Sequence, residues 1–202
     1  MTLPVPPADP LELAETFPVR ELPVSYRYYR LHHHDREPEW FCTCGGCRFD
    51  PPDSESFGTC YAAAHPLGAF VERFGRLRNG VPRSLVDSHR LAGLGLPSPV
   101  RVADASDRTV VGRWGLSAEL WAGDDYPGSQ RWAERLHQAG FAGIWYPARH
   151  DPAGQLHSVA LFGKPGHQPA AFVPYGDEVV SAELCDEAFT RFGILVLPST
   201  SI

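Results

Sequence analysis

The hydrophobic positions first organise themselves around residues 58–77. Thr59–Ala64 is a short apolar run of strand type, and a helix is expected to open at Pro66, where a missing N–H costs nothing. Leu67, Phe70, Val71, Phe74 and Leu77 recur at helical spacing, so one face of that helix is apolar and should pack on a sheet. Glu72 lies beside this stripe and Tyr61 on the strand before it. A strand feeding a helix that carries one carboxylate can form a site; a solvated helix Glu is the other reading of the same pattern.

Upstream, Asp9–Phe17 reads as a short helix after a Pro-rich start, and Ser25–Leu31 as a strand. On that strand Tyr26, Tyr28 and Arg30 share one face and Arg27 and Tyr29 the other. Residues 32–57 read as a long polar loop, and loops of that length inside a domain are usually functional or mobile. Downstream of the Glu72 helix, Pro82, Gly93, Gly95, Pro97 and Pro99 mark another loop. Pro99–Asp104 then reads as a strand and Leu116–Trp121 as a short helix. Ser129 is the expected N-cap of a helix running to about Ala139, with Gly140 as its stop. Gly143–Tyr146 and Ser158–Phe162 are two strands joined by a turn at Asp151–Gly154. Asp177–Leu184 reads as a strand, Asp186–Arg191 as a helix and Ile194–Leu197 as an apolar strand that must be buried somewhere.

Composition narrows the class. With 202 residues, 43% hydrophobic, 20 Pro and 19 Gly, the chain suits one turn-rich α+β or α/β domain with an added tail. A net charge of −6 argues against nucleic acid or an anionic membrane as partner. No apolar run reaches the length of a membrane span, and the start lacks the basic and apolar regions of a signal peptide, so a cytoplasmic protein is expected. Neither a GxGxxG nor a GxxxxGK[ST] motif is present. Three of the five Cys, Cys42, Cys44 and Cys47, crowd into one Gly-rich stretch after His32, His33 and His34. With no second Cys pair downstream, free thiols are the expectation and no metal is assigned; a zinc site of these thiols and a His is the alternative.

Several of these stretches together resemble the RES domain, whose members are mostly toxins of Xre–RES toxin–antitoxin pairs. The resemblance runs from about Tyr26 to Gly163. It rests on Tyr-Arg-Leu at 29–31, Cys-Arg-Phe-Asp-Pro-Pro at 47–52, Gly-Thr-Cys-Tyr-Ala-Ala at 58–63, Glu72, Gly-Asp-Asp-Tyr at 123–126, Gly-Ile-Trp-Tyr-Pro-Ala-Arg-His-Asp-Pro at 143–152 and Val-Ala-Leu-Phe at 159–162. It implies an α+β, ADP-ribosyltransferase-like fold: a bent, split β-structure with flanking helices and a cleft for NAD. The implied layout is an N-terminal extension at 1–20, the RES-like domain at 21–165 and a tail at 166–202. That tail closes the cleft, mediates dimerisation or completes the sheet.

The implied activity is cleavage of the nicotinamide–ribose bond of NAD by hydrolysis, phosphorolysis or ADP-ribosyl transfer, with NAD as substrate and no cofactor. An Xre-type antitoxin is the implied partner, and a homo-oligomer is left open. Nicotinamide departs neutral, so no general acid is needed. The enzyme must stabilise an oxocarbenium-like ribose, which one ionised carboxylate can do. By resemblance Glu72 is that carboxylate, Arg30, Arg48 and Arg149 reach the phosphates, and Tyr61 stacks on nicotinamide. One departure stands out: Ala148 occupies the place of the family's Ser and offers no side-chain hydrogen bond. This motivates a rival reading, a degenerate RES-like domain that binds a nucleotide or a protein without turnover.

Overall fold

The strand and helix read around Glu72 lie at the centre of a large mixed sheet. A computed structural model of the chain describes residues 2–53, 56–77 and 79–198; residues 1, 54, 55 and 78 and the last four of the 166–202 segment lie outside the described residues. In chain order the elements are α1 (Pro10–Thr16), β1 (Val19–Leu22), β2 (Tyr28–His33), β3 (Trp40–Phe41), β4 (Gly58–Ala63), α2 (Pro66–Phe74), β5 (Val81–Pro82), α3 (Arg83–Asp87), β6 (His89–Gly95), β7 (Val100–Asp104), α4 (Thr109–Trp114), α5 (Glu119–Ala122), α6 (Tyr126–Gln138), β8 (Gly143–Pro147), β9 (His157–Gly163), β10 (Gly166–His167), a 3-10 turn (Pro169–Ala171), β11 (Val173–Val179), α7 (Ala182–Phe192) and β12 (Val196–Leu197).

The main sheet has eight strands in the order β1-β7-β8-β9-β4-β2-β6-β11. Every neighbour is antiparallel except β7 and β8. A parallel pair needs a long crossover, and α4, α5 and α6 supply it. β2 pairs with β6 along its whole length but meets β4 only at Tyr29–Ala63. The sheet is therefore split at this seam, and the fold is α+β as expected.

Alternation along the strands builds two cores, one on each face. On β8, Ile144 and Tyr146 face a cluster with Phe49, Leu13, Phe17, Trp132 and Leu136. Trp145 faces the other cluster, with Tyr28, Cys60, Val102 and Val159. A third cluster joins Leu67, Phe70, Val71 and Phe74 of α2 to Leu184 and Ala188 of α7. Each fully buried large side chain contributes roughly 1.5–3 kcal/mol. The segment read as an N-terminal extension thus packs into the body: Leu13 and Phe17 of the first core precede β1, which pairs along β7. The segment read as a tail adds β11 beside β6 and lays α7 on α2.

Several local expectations are corrected. The stretch around Gly93 and Gly95 is not a loop but the inner strand β6. Its glycines make room for Tyr175 of β11: a Cβ on Gly95 would lie 2.4 Å from that ring. Asp125, not Ser129, caps α6, accepting from the Gly128 N–H at 2.9 Å. Ser129 is buried inside the helix and donates to the Leu120 carbonyl at 2.9 Å. Residues 182–184, read as the end of a strand, open α7, which Ser181 caps through the Leu184 N–H. α2 opens at Pro66 as read, with the His65 ring accepting from the Leu67 N–H, but it ends at Phe74 and leaves Leu77 exposed.

Candidate active site

A cavity of about 330 Å³ lies across the seam between β2 and β4 and beneath α2. α2 projects Glu72 into it, β4 projects Tyr61, and the β8–β9 turn brings Arg149. That turn is rigid because the Asp151 carboxylate accepts the main-chain N–H groups of Gln155 and Leu156, each at 2.6 Å, and of Ala153 at 3.1 Å. So held, the Arg149 N–H donates to Glu72 Oε1 at 2.6 Å. Burial raises the Glu72 pKa, while that N–H and the charges of Arg48, Arg149 and Arg76 oppose the rise.

The walls are cationic. Arg30, Arg48, Arg73, Arg76 and Arg149 line the cavity against the single carboxylate of Glu72, a local balance opposite in sign to the net charge of −6. Arg48 is only 7% exposed. Its guanidinium lies 4.6 Å from the Tyr126 ring centroid, and among the described residues neither terminal nitrogen has a hydrogen-bond partner. Burial pushes its pKa below the usual value; the nearby Arg149 and Arg76 charges act the same way, and Tyr126 opposes them. Arg149 is held from Asp124 at 2.8 Å and Tyr126 Oη at 3.3 Å, and Arg76 also binds Tyr126 Oη. Arg73 Nε donates to His89 Nε2 at 2.9 Å, so that ring accepts there and carries its proton on Nδ1, against the Leu85 carbonyl.

Tyr61 does two things. Its ring is part of the wall. Its hydroxyl accepts from the Phe49 N–H at 2.9 Å and donates to Asp50 Oδ1 at 3.1 Å, gripping the two residues that follow Arg48. Burial, with Asp50 beside it, raises its pKa well above the usual value, so it remains a donor. Tyr146 also lines the cavity, edge-on to Phe49 at 5.1 Å.

The family model of the RES domain matches residues 27–184. The chain belongs to the RES domain family. No curated protein matches it in sequence. Among solved structures, the crystal structure of the M. tuberculosis MbcT–MbcA toxin–antitoxin complex contains a chain that superimposes with a TM-score of 0.65 at 19% identity, covering 83% of this chain and 90% of that one. At that identity the likeness is one of fold. No helix among the described residues is long and apolar enough to cross a membrane.

Of the five site residues expected in this RES domain, Glu72, Arg48, Tyr61 and Arg149 line the same cavity, with the Arg149 main chain bonded to Glu72. Arg30 reaches the wall, but its guanidinium is engaged by the Trp40 carbonyl at 2.8 Å and Cys60 Sγ at 2.6 Å. Cys60 belongs to the core on the sheet face opposite Tyr61. Ala148, the departure from the family Ser, is 2% exposed and packs in the α2–α7 core, not in the cavity wall. The sequence reading missed Arg73, Arg76, Tyr126, Tyr146 and Ser158 as wall residues. Arg76 stands four residues after Glu72, just past the end of α2, and that spacing was the available signal.

Proposed function

We propose that this RES domain binds NAD in the cavity and cleaves its nicotinamide–ribose bond. The observation that carries the reading is Arg48: a buried guanidinium with no hydrogen-bond partner among the described residues, sharing a cavity with a buried carboxylate. An unpaired buried cation is costly unless an anion reaches it. A pyrophosphate supplies two anionic groups with the bidentate geometry that arginine favours, and Arg149 and Arg76 stand near enough to share them.

Glu72 suits the other half of the substrate. Its Oε1 is fixed by the Arg149 N–H, which leaves Oε2 to face the ribose. As the C1′–N bond breaks, its electron pair passes to the pyridinium nitrogen and nicotinamide leaves neutral. The positive charge that develops on the ribose is met by the ionised carboxylate. Water, phosphate or a protein hydroxyl then bonds to C1′ and releases its proton to solvent. The rings of Tyr61 and Tyr146 offer flat walls for nicotinamide. The similar chain was solved in a toxin–antitoxin complex, which supports a toxin role for this RES domain, with a partner protein that covers the cavity.

The test is NAD turnover by the purified chain, with and without phosphate, beside Glu72→Gln, with products resolved by mass. Nicotinamide release that is lost in the variant is the expected result, and the co-product names the acceptor. Thermal stabilisation by NAD without any product would replace this reading by the degenerate binding domain.

A further inference from the structure

Behind Arg48 the chain makes a second cluster that the proposed NAD chemistry does not use. Cys42 forms an antiparallel bridge with Thr59, which ties this point to the start of β4. The chain then turns through Gly45, at φ 67°, and returns to Asp50. Cys42 Sγ, Cys44 Sγ and a carboxylate oxygen of Asp50 lie within 4.8 Å of one another. Cys44 Sγ is 3.3 Å from Asp50 Oδ2, and the Cys47 N–H donates to that same oxygen at 3.1 Å. Asp50 is 0% exposed. The partners it has are the neutral Tyr61 hydroxyl, Cys44 thiol and Cys47 amide. A carboxylate buried among thiols, with no cationic side chain among its described partners, is a donor set for a metal ion.

We propose that Cys42, Cys44 and Asp50, with water as the fourth ligand, form a binding site for a zinc-class divalent ion. Sulfur ligands select zinc over calcium or magnesium, which take oxygen donors. With Zn–S bonds of about 2.3 Å, a tetrahedral site has ligands about 3.8 Å apart, within the span of the present cluster. On binding, each thiol gives its proton to solvent and its sulfur lone pair to the metal, with no change of oxidation state. The His triplet is not needed. His32 is engaged by the Arg36 carbonyl and Asp177, and His33 and His34 turn towards Asp35. The donor that the sequence reading lacked is Asp50, three residues after the last Cys. Arg48 lies between Cys44 and Asp50, so the ion would clamp the chain on either side of the residue that faces the cavity. The site stands whether or not the cavity takes NAD.

The experiment loads the purified full chain with Zn²⁺ under reducing conditions, removes free metal by gel filtration and measures bound metal by elemental analysis. Co²⁺ is then substituted and the near-ultraviolet thiolate-to-metal charge-transfer bands are recorded. The expected result is about one equivalent per chain, with those bands present. Cys42→Ser/Cys44→Ser should lose the metal and the bands while circular dichroism stays that of the wild type, and His33→Ala/His34→Ala should keep both. Asp50→Asn should weaken binding by at least about tenfold. The proposal is overturned if the wild type retains less than about a tenth of an equivalent, if the double Cys variant binds as well as the wild type, or if the His variant loses the metal.

Discussion

Tyr61→Phe separates the two jobs of one side chain. The substitution keeps the ring on the cavity wall and removes only the hydroxyl. The Phe49 N–H, 2.9 Å from that oxygen, is then left without a partner in the core. Leaving a buried donor unmet costs about 1–3 kcal/mol. Asp50 loses the donor at 3.1 Å but keeps the Cys47 amide and the Cys44 thiol, a further loss of about 1 kcal/mol. The hydroxyl no longer has to be desolvated, which offsets part of this, so a net loss of about 2–3 kcal/mol is expected. For a chain of this size that lowers Tm by about 5–10 °C, measurable by scanning fluorimetry or circular dichroism. The same loop carries Arg48, so KM for NAD should rise several-fold while kcat, served by the retained ring and Glu72, should fall less. A Tm within about a degree of wild type would show that the hydroxyl does not hold the 47–50 turn, and the reasoning would fail.

Glu72→Gln should lower nicotinamide release by about 10²–10³-fold, since the charge facing the ribose is lost. Because burial raises the Glu72 pKa, its contribution to folding is fully present below the ordinary carboxylate pKa and is lost as pH rises through the higher folded value. The Gln variant should therefore be the more stable protein at neutral pH, with the gap closing in acid, and wild-type turnover should fall as pH drops through that same raised value; equal Tm values at every pH would contradict this. Ala148→Ser, in the α2–α7 core and away from the cavity, should cost about 1–3 kcal/mol in Tm measurements and leave turnover no higher than wild type; a gain in turnover would show that the position reaches the substrate. Gly143→Ala would place a Cβ 2.3 Å from the Ala160 carbonyl oxygen, a clash between paired backbones that should cost roughly 3 kcal/mol or more, visible as a lowered Tm or insoluble protein.

The parts legible in the sequence were those where one local rule acted alone. Pro66 and the Leu67–Phe74 stripe announced α2, and the apolar runs on either side of Asp151 announced the β8–β9 hairpin. β6 was illegible because Gly93 and Gly95 read as loop residues until Tyr175, some eighty positions later, is seen to cover them. β11 was read only over residues 177–179, the start of the expected Asp177–Leu184 strand; its side chains are all exposed, and backbone pairing with β6 extends it back to Val173. At Ser129 the N-cap preference pointed four residues too late, because Asp125 was the better acceptor for the free amides. In the site, Glu72, Arg48, Tyr61 and Arg149 were placed by resemblance. The cationic cavity itself was hidden by a net charge summed over the whole surface. Asp50 went unseen because the metal reading stopped at Cys and His.

The strand order has a consequence for timing. In the main sheet only β8 and β9 are joined as a local hairpin; β1 waits for β7, β2 for β6, β4 for β9 and β6 for β11. Pairings so distant in sequence carry a large loop-closure cost before they gain anything, and such chains fold slowly. Tyr61 cannot be locked beside Tyr146 until residues 157–163 have left the ribosome to sit between their strands. The helix bearing Glu72 lacks its outer cover until α7 has followed. The cavity is therefore assembled abruptly and late in synthesis, and any activity it carries should appear only when the chain is nearly complete.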